Sequence, residues 1–283
     1  MSALYYHEFS SFPHWVQESA LFIYNSIKTA YEFQNQPIVC LAGGNTPIPV
    51  YRALTNLLSA LPADFAVPSV SGTSSVPSGF DTTDEPITTR KPLLIIPGDE
   101  RITGTSHLQC SNRNESMLRE VFHTLLSSRQ AELISWYKEY YTSSYYERNS
   151  INTETVALST TQNTSQICIH MNDYITRLKQ VRGPLFDCVV LGVGADGHIA
   201  GIFDANARTI EEEKSVSALF TAPAEPRQRV SLLPHILRDS SATLVLVQAR
   251  GKEVVIKSIL EGTHYLINKS ICQNAVLYCY TGN

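Results

Sequence analysis

The stretch Phe186-Asp187-Cys188-Val189-Val190-Leu191-Gly192-Val193-Gly194-Ala195-Asp196-Gly197-His198 decides how the rest of the chain is read. Residues 186–191 form a short apolar run of the kind that fills a strand buried on both faces, and they lead directly into a glycine-rich turn ending in polar groups. The pattern recurs on either side. Residues 38–42 run into Gly43-Gly44-Asn45-Thr46-Pro47 and then into an amphipathic helical stretch, 48–58. Residues 93–97 run into Gly98-Asp99-Glu100-Arg101 and, after a loop, into a helix predicted over 112–126. Residues 243–249 make a further strand, followed by a helix over 252–260. Ahead of them, Val16, Ala20, Ile23, Ile27 and Ala30 recur at three- and four-residue steps behind Pro13, which gives a helix one apolar face. Continuous apolar strands alternating with amphipathic helices predict an α/β fold, a mostly parallel sheet with helices on both faces.

The length of 283 residues suits one large α/β domain over 1–283, with two polar segments set aside as surface decorations. Residues 60–90, dense in Pro, Ser, Thr, Gly and Asp, read as an insertion within that domain, and 149–166 as a second polar stretch. No internal repeat is visible. With 22 Lys and Arg against 26 Asp and Glu the net charge is −4, which excludes a basic nucleic-acid coat, so no nucleic-acid partner is expected. No apolar run reaches the roughly 18–20 residues that cross a bilayer, and residues 1–35 lack the apolar core of a signal peptide. The expectation is a cytoplasmic protein without a membrane partner, organellar import being left open, and a monomer or weak homo-oligomer. The cysteines Cys40, Cys110, Cys168, Cys188, Cys272 and Cys279 form no C-x-x-C pair, which argues against disulfides and structural zinc. The N-x-[ST] sequons at Asn114, Asn163 and Asn268 are expected to be chance matches.

Ligands of open parallel sheets sit at the carboxyl ends of the strands, which nominates the three turns. Gly43-Gly44-Asn45-Thr46 admits an anion close to the backbone and adds a hydroxyl and an amide, although an ordinary capped turn would look the same. Gly192, Gly194 and Gly197 satisfy G-x-G-x-x-G, the nominal dinucleotide fingerprint, but the acidic cluster Glu211-Glu212-Glu213 does not end a second strand as a ribose-binding carboxylate should. The turn instead presents Asp196 and His198, and a histidine oriented by a carboxylate can act as general base near neutral pH; a turn-capping role is the alternative. Tyr137, Tyr140, Tyr141, Tyr145 and Tyr146 have few basic neighbours and suit packing better than base stacking. His107 reads as a surface residue, and residues 211–214 as a solvated loop.

Taken together, residues 41–47 (L-A-G-G-N-T-P), Asp99-Glu100-Arg101, Ser111-Asn112, residues 192–198 and Arg229-Val230-Ser231-Leu232 fall in the order seen in 6-phosphogluconolactonases, and the resemblance extends to about residue 260. It implies a Rossmann-like single domain, hydrolysis of 6-phospho-D-glucono-1,5-lactone to 6-phosphogluconate in the oxidative pentose phosphate pathway, and neither cofactor nor metal. The substrate, a small phosphorylated sugar lactone, is the one partner it implies. Residue by residue, His198 corresponds to the catalytic base, held by Asp196 or Asp99. Gly43, Gly44, Asn45 and Thr46 correspond to the phosphate turn, with Arg229 and Lys252 supplying positive charge. Arg101 corresponds to a residue that either stabilises the oxyanion or binds substrate charge. The chain departs from the family pattern at Asn45, usually Ser, at Gly201, usually Ser, and at Asp204, usually Pro; its tail lacks the usual Trp and Asp.

Glucosamine-6-phosphate deaminases share several of these motifs but place an aromatic residue after the Asp-Glu pair and a catalytic Glu five residues beyond the histidine. Here Arg101 and Phe203 stand at those positions, which favours the lactonase. A non-catalytic sugar-phosphate-binding relative is the other alternative, suggested by the departures at Asn45, Gly201 and Asp204.

Overall fold

The computed structural model describes residues 4–33, 36–61, 91–102, 113–137, 164–203 and 215–282. Its elements are, in chain order, β1 (Leu4–Phe9), α1 (Phe12–Glu32), β2 (Ile38–Leu41), α2 (Ile48–Ser59), β3 (Leu93–Pro97), β4 (Asp99–Arg101), α3 (Asn114–Val121), α4 (His123–Ser127) and β5 (Ala131–Leu133). There follow α5 (Thr164–Val181), β6 (Cys188–Gly192), β7 (Ser217–Thr221), β8 (Gln228–Leu232), α6 (Pro234–Leu237), β9 (Thr243–Gln248), α7 (Glu253–Leu260), α8 (Tyr265–Ser270) and β10 (Ala275–Tyr280).

Four apolar residues in a row leave β2 without a polar face, and all four are buried, which suits the middle of a sheet. β2 lies between β3 and β6 in a seven-stranded sheet of order β1-β10-β9-β6-β2-β3-β5, parallel throughout. Successive side chains of a strand point to opposite faces, and the core divides accordingly. Ile38, Cys40, Leu94, Ile96, Val189, Leu191, Val245 and Val247 join one apolar layer, against α5 through Met171 and Ile175 and against α7 through Val255 and Ile259. Val39, Leu41, Leu93, Ile95, Cys188, Val190, Leu244 and Leu246 join the other, against Ile23 and Ile27 of α1 and Tyr51 and Leu54 of α2. Each fully buried aliphatic side chain contributes about 1.5–3 kcal/mol relative to exposure. The two-sided helical cover expected of the sequence is therefore present.

Several elements differ from the sequence expectation. The predicted helix 112–126 is two helices, because the chain turns at Phe122, whose φ and ψ of −96° and 13° are not helical; residue 112 lies outside the described residues. The strand expected from 186 begins at Cys188, with Phe186 making only an isolated bridge to Ser240. Thr164, inside the supposed polar stretch 149–166, already begins α5. Residues 62–90 of the expected insertion and 149–163 of the second stretch lie outside the described residues. β1, β10 and a second sheet were not expected. That sheet is antiparallel, ordered β4-β8-β7, and it carries Asp99, Arg101 and Arg229.

One ion pair ties the start of β6 to its neighbours. Asp187 Oδ2 accepts the Ile38 backbone N–H at 2.8 Å, and Arg182 Nη2 donates to both carboxylate oxygens at 2.8 and 2.9 Å. Arg182 Nη1 also donates to the Gln36 carbonyl at 2.6 Å. Burial pushes the Asp187 carboxyl up, while the Ile38 N–H and Arg182 draw it back. Asp187→Ala leaves a guanidinium and a strand N–H without their acceptor, and is expected to cost about 3 kcal/mol. Urea unfolding followed at the buried Trp15 and Trp136 checks this, and a loss below about 1 kcal/mol would place the strength of this corner in packing alone.

Candidate active site

The chain winds from β2 towards β3 and β5 on one side, and from β6 towards β9 and β10 on the other, so the strand order reverses between β2 and β6. A crevice opens outside the carboxyl ends of strands at such a reversal. The turns that follow these two strands, 43–47 and 193–198, face each other across a cleft of about 340 Å³. Every candidate residue lines it: Gly43, Gly44, Asn45, Thr46, Asp99, Arg101, Asp196, His198, Arg229 and Lys252.

The turn after β6 is built to hold His198. Its carbonyl accepts the Gly194 N–H at 2.9 Å, the Gly197 N–H bonds Gly194 at 3.1 Å, and Ile199 bridges to both Val193 and Ile202. The chain then passes through Ala200 at φ +47°, a left-handed conformation that costs a non-glycine residue about 1 kcal/mol and is tolerated where surrounding structure fixes it. His198 Nδ1 lies 2.5 Å from Asp196 Oδ1, and the Asp196 side chain also accepts the His198 backbone N–H at 3.3 Å. Of the two carboxylates the sequence offered as partner, Asp196 makes the hydrogen bond. Partial burial raises the Asp196 carboxyl, but the bond from His198, its charge and backbone donors outweigh that and leave the group below its ordinary value. An ionised acceptor at Nδ1 places the proton there and leaves Nε2 as the basic nitrogen. Phe203 packs on the imidazole with ring centroids 4.7 Å apart. Gly194 is required beneath it, since a Cβ there would occupy the space of the His198 ring.

Positive charge gathers on the second sheet. Arg101 and Arg229 are register partners on β4 and β8, an arrangement that is unfavourable unless an anion is shared between them. Arg229 is buried, and its Nη1 has no hydrogen-bond partner among the described residues. Burial and then the Arg101 charge pull the Arg229 guanidinium below its usual value, against Asp99, Glu100 and Glu225. A buried charged donor left unsatisfied is costly, and this residue lies on the lining of the cleft. Lys252 also lines the cleft, but its Nζ donates to the Val193 carbonyl at 2.6 Å, so it fastens the end of β6 as well as adding charge. Burial lowers its ammonium, with Asp196 and Cys279 acting the other way.

Asp99 is buried, and its carboxyl is raised by that burial, with Arg229, Arg101 and His198 drawing it back. Asn114 is a cleft residue absent from the sequence-based set. Its Nδ2 donates to the Asp99 carbonyl at 3.0 Å, and its amide fills the space where a side chain on Gly43 would begin. The sequence marked Asn114 only as a sequon; the structure buries it. Of the departures, Asn45 is exposed in the Gly turn, and Gly201 donates its N–H to Ser231 Oγ at 3.2 Å. A Cβ on Gly201 would stand 3.1 Å from the Cβ atoms of both Arg229 and Ser231, so this packing favours glycine. Asp204, His107, Ser111, Asn112, Cys110, residues 211–214 and Tyr140 to Tyr146 lie outside the described residues. Tyr137 is core, beneath the Arg113 guanidinium at 3.9 Å.

Comparison with known proteins bears on this arrangement. The 6-phosphogluconolactonases of Rattus norvegicus and Homo sapiens are each 37% identical to this chain over 93 residues, a segment that covers 31% of this chain and 36% of theirs. The match thus spans about a third of the length of these relatives. The crystal structure of 6-phosphogluconolactonase from Thermotoga maritima superposes with a TM-score of 0.65 at 20% identity, covering 99% of this chain and all of that one. The enzyme from Trypanosoma brucei gives 0.64 at 19% identity, covering 99% of this chain and 97% of its own. These structures share the fold. The family model described as glucosamine-6-phosphate isomerases/6-phosphogluconolactonase matches residues 69–266, more than half of the sequence, and the chain belongs to that family.

Proposed function

We propose that this protein hydrolyses 6-phospho-D-glucono-1,5-lactone to 6-phospho-D-gluconate, the second step of the oxidative pentose phosphate pathway. The observation that carries the reading is a His198–Asp196 pair in one cleft with the opposed guanidinium groups of Arg101 and Arg229. The Gly43–Thr46 turn and Arg229 hold the phosphate, which brings C1 of the lactone to His198. Nε2 of His198 removes a proton from water as the oxygen adds to C1. The tetrahedral oxyanion then collapses, the bond from C1 to the ring oxygen breaks, and the imidazolium returns its proton to that oxygen. Arg101 stands where it can balance either the oxyanion or the phosphate, as the sequence left open. A cytoplasmic setting and a small-molecule partner remain part of this reading.

The family also holds deaminases, and Phe203 argues against that activity here. Its ring rests on the His198 imidazole, so the place where a carboxylic acid would assist ring opening holds an aromatic face instead. Both substrates assayed on one preparation test the choice: lactone turnover above the spontaneous rate is expected, and ammonia released from glucosamine 6-phosphate without lactonase activity would reverse it. Binding of 6-phosphogluconate in calorimetry without turnover would support the non-catalytic relative.

Arg229→Ala removes the buried donor that awaits an anion. Charge-assisted hydrogen bonds of this kind contribute about 1.5–3 kcal/mol, so KM for the lactone is expected to rise roughly 10- to 100-fold with a smaller change in kcat. Steady-state kinetics with subtraction of spontaneous hydrolysis read this, and a loss confined to kcat would move Arg229 from the phosphate to the reacting carbon.

A further inference from the structure

We propose that Glu100 is a positioning residue, whose carboxylate fastens the amino end of α3 to β4 and thereby fixes Asn114, Asp99 and the Gly43 turn as one wall of the cleft. Its kinetic readout rests on the lactonase reading. Alternation along β4 sends Asp99 and Arg101 to the cleft and Glu100 to the opposite side, where it is fully buried. There Oε1 accepts the backbone N–H groups of Arg101 at 2.7 Å and Asn114 at 3.0 Å, and Oε2 accepts that of Glu115 at 2.8 Å. The first N–H groups of a helix need acceptors, and the N-cap residue Arg113 supplies no side-chain bond; Glu100, fourteen positions upstream of Asn114, does this work instead. Asn114, held by its backbone, returns its side chain to β4 through the Asp99 carbonyl and lies against Gly43. The chain of contacts from Glu100 to the phosphate turn is therefore closed.

The groups facing Glu100 are those of every element packed around it. Arg113 Nε lies 3.9 Å from Oε2, Arg113 Nη2 lies 3.7 Å from Glu115 Oε2, and Glu115 is bonded by Ser135 at 2.7 Å and by Arg119. Arg229 on β8 senses the Glu100 charge. Burial pushes the Glu100 carboxyl up to about 7, with Arg113 and the N–H donors opposing. Above that pH the carboxylate can accept all three N–H groups; below it, protonation removes part of that capacity, and glutamine imitates the protonated form.

The test compares kcat/KM of the wild type and Glu100→Gln across pH, a ratio in which ionisations common to both proteins cancel. The ratio is expected to be about 10- to 100-fold above pH 7 and to shrink as the pH falls through it. Ile27→Ala, a core truncation in α1 remote from the cleft, supplies a comparator of reduced stability that is expected to keep kcat/KM within about twofold. A pH-independent ratio near one, or a loss that Ile27→Ala reproduces, overturns the proposal. Should Glu100→Gln not fold, Asn114→Ala, which keeps the helix latch but cuts its link to the cleft, is expected to lose about tenfold or more; wild-type kcat/KM in that variant also overturns it. If the wild type itself turns over no lactone, the lactonase reading fails, and the same ratio is then measured on the dissociation constant for 6-phosphogluconate.

Discussion

His198→Ala is expected to lower kcat for lactone hydrolysis by about 10²–10⁴-fold once the spontaneous rate is subtracted, the range that a positioned acid and base contributes. Binding of 6-phosphogluconate should persist, because the groups assigned to the phosphate sit on the Gly43 turn and β8 rather than on the turn after β6. Asp196→Asn should approach the same loss without removing the imidazole. A carboxylate at 2.5 Å from Nδ1 keeps the proton on that nitrogen, whereas an amide can present its NH₂ and reverse the tautomer. The sign of the pH response follows from the shifts. Asp196 lies below the usual carboxylate value, so it stays ionised as the pH falls through the neutral range, and loss of this partner cannot produce an acid limb there. A limb that survives in a stable Asp196→Asn variant with residual activity would belong to a group other than Asp196, and Glu100, pushed up to about 7 by burial, is placed to supply one. Retention of most of the wild-type rate by His198→Ala would remove the general-base assignment altogether.

How far the sequence discloses this site depends on which residues are apolar. The strands β2, β3, β6 and β9 are continuous hydrophobic runs, and the turns after them contain nearly all of the candidate residues that line the cleft, so position at strand ends sufficed to nominate it. β1 and β10 are different. β1 is an edge strand with Tyr5, Tyr6, His7 and Glu8 exposed, and its partner lies at the other end of the chain, Leu4 opposite Ala275. Neither hydropathy nor local turn chemistry announces such a pairing. β4 is hidden for another reason: its sequence is Asp-Glu-Arg, which reads as a turn, yet two of the three residues are buried, because the first N–H groups of α3 bond Glu100 and Arg229 on β8 faces Asp99. The α5 pattern was available in Cys168, Met171, Ile175 and Leu178, spaced at three and four residues, but a long polar stretch precedes it and obscures the start. Asn114 and Glu100 act through backbone groups of residues distant in sequence, a relation that no local pattern encodes.

Gly194→Ala should abolish most of the activity by geometry alone, with kcat lowered about 10²-fold or more. The backbone at Gly194 is outside the left-handed region, so alanine can adopt it, and replacing glycine at a compatible site gains about 0.4–1 kcal/mol from a less flexible unfolded chain. The obstacle is the space above it. A Cβ on Gly194 would overlap His198 Nδ1 and Cε1 and press against Asp196 Oδ1, so the two side chains cannot keep their hydrogen bond with a methyl group between them. The imidazole must swing away, and Phe203, packed against the ring, limits where it can go. Thermal unfolding should therefore change little while turnover collapses. In the His198→Ala background, where the ring is already gone, the same substitution should cost almost nothing further, a strongly non-additive cycle. Full additivity would instead show that Gly194 serves the conformation of the turn and not the clearance of the base.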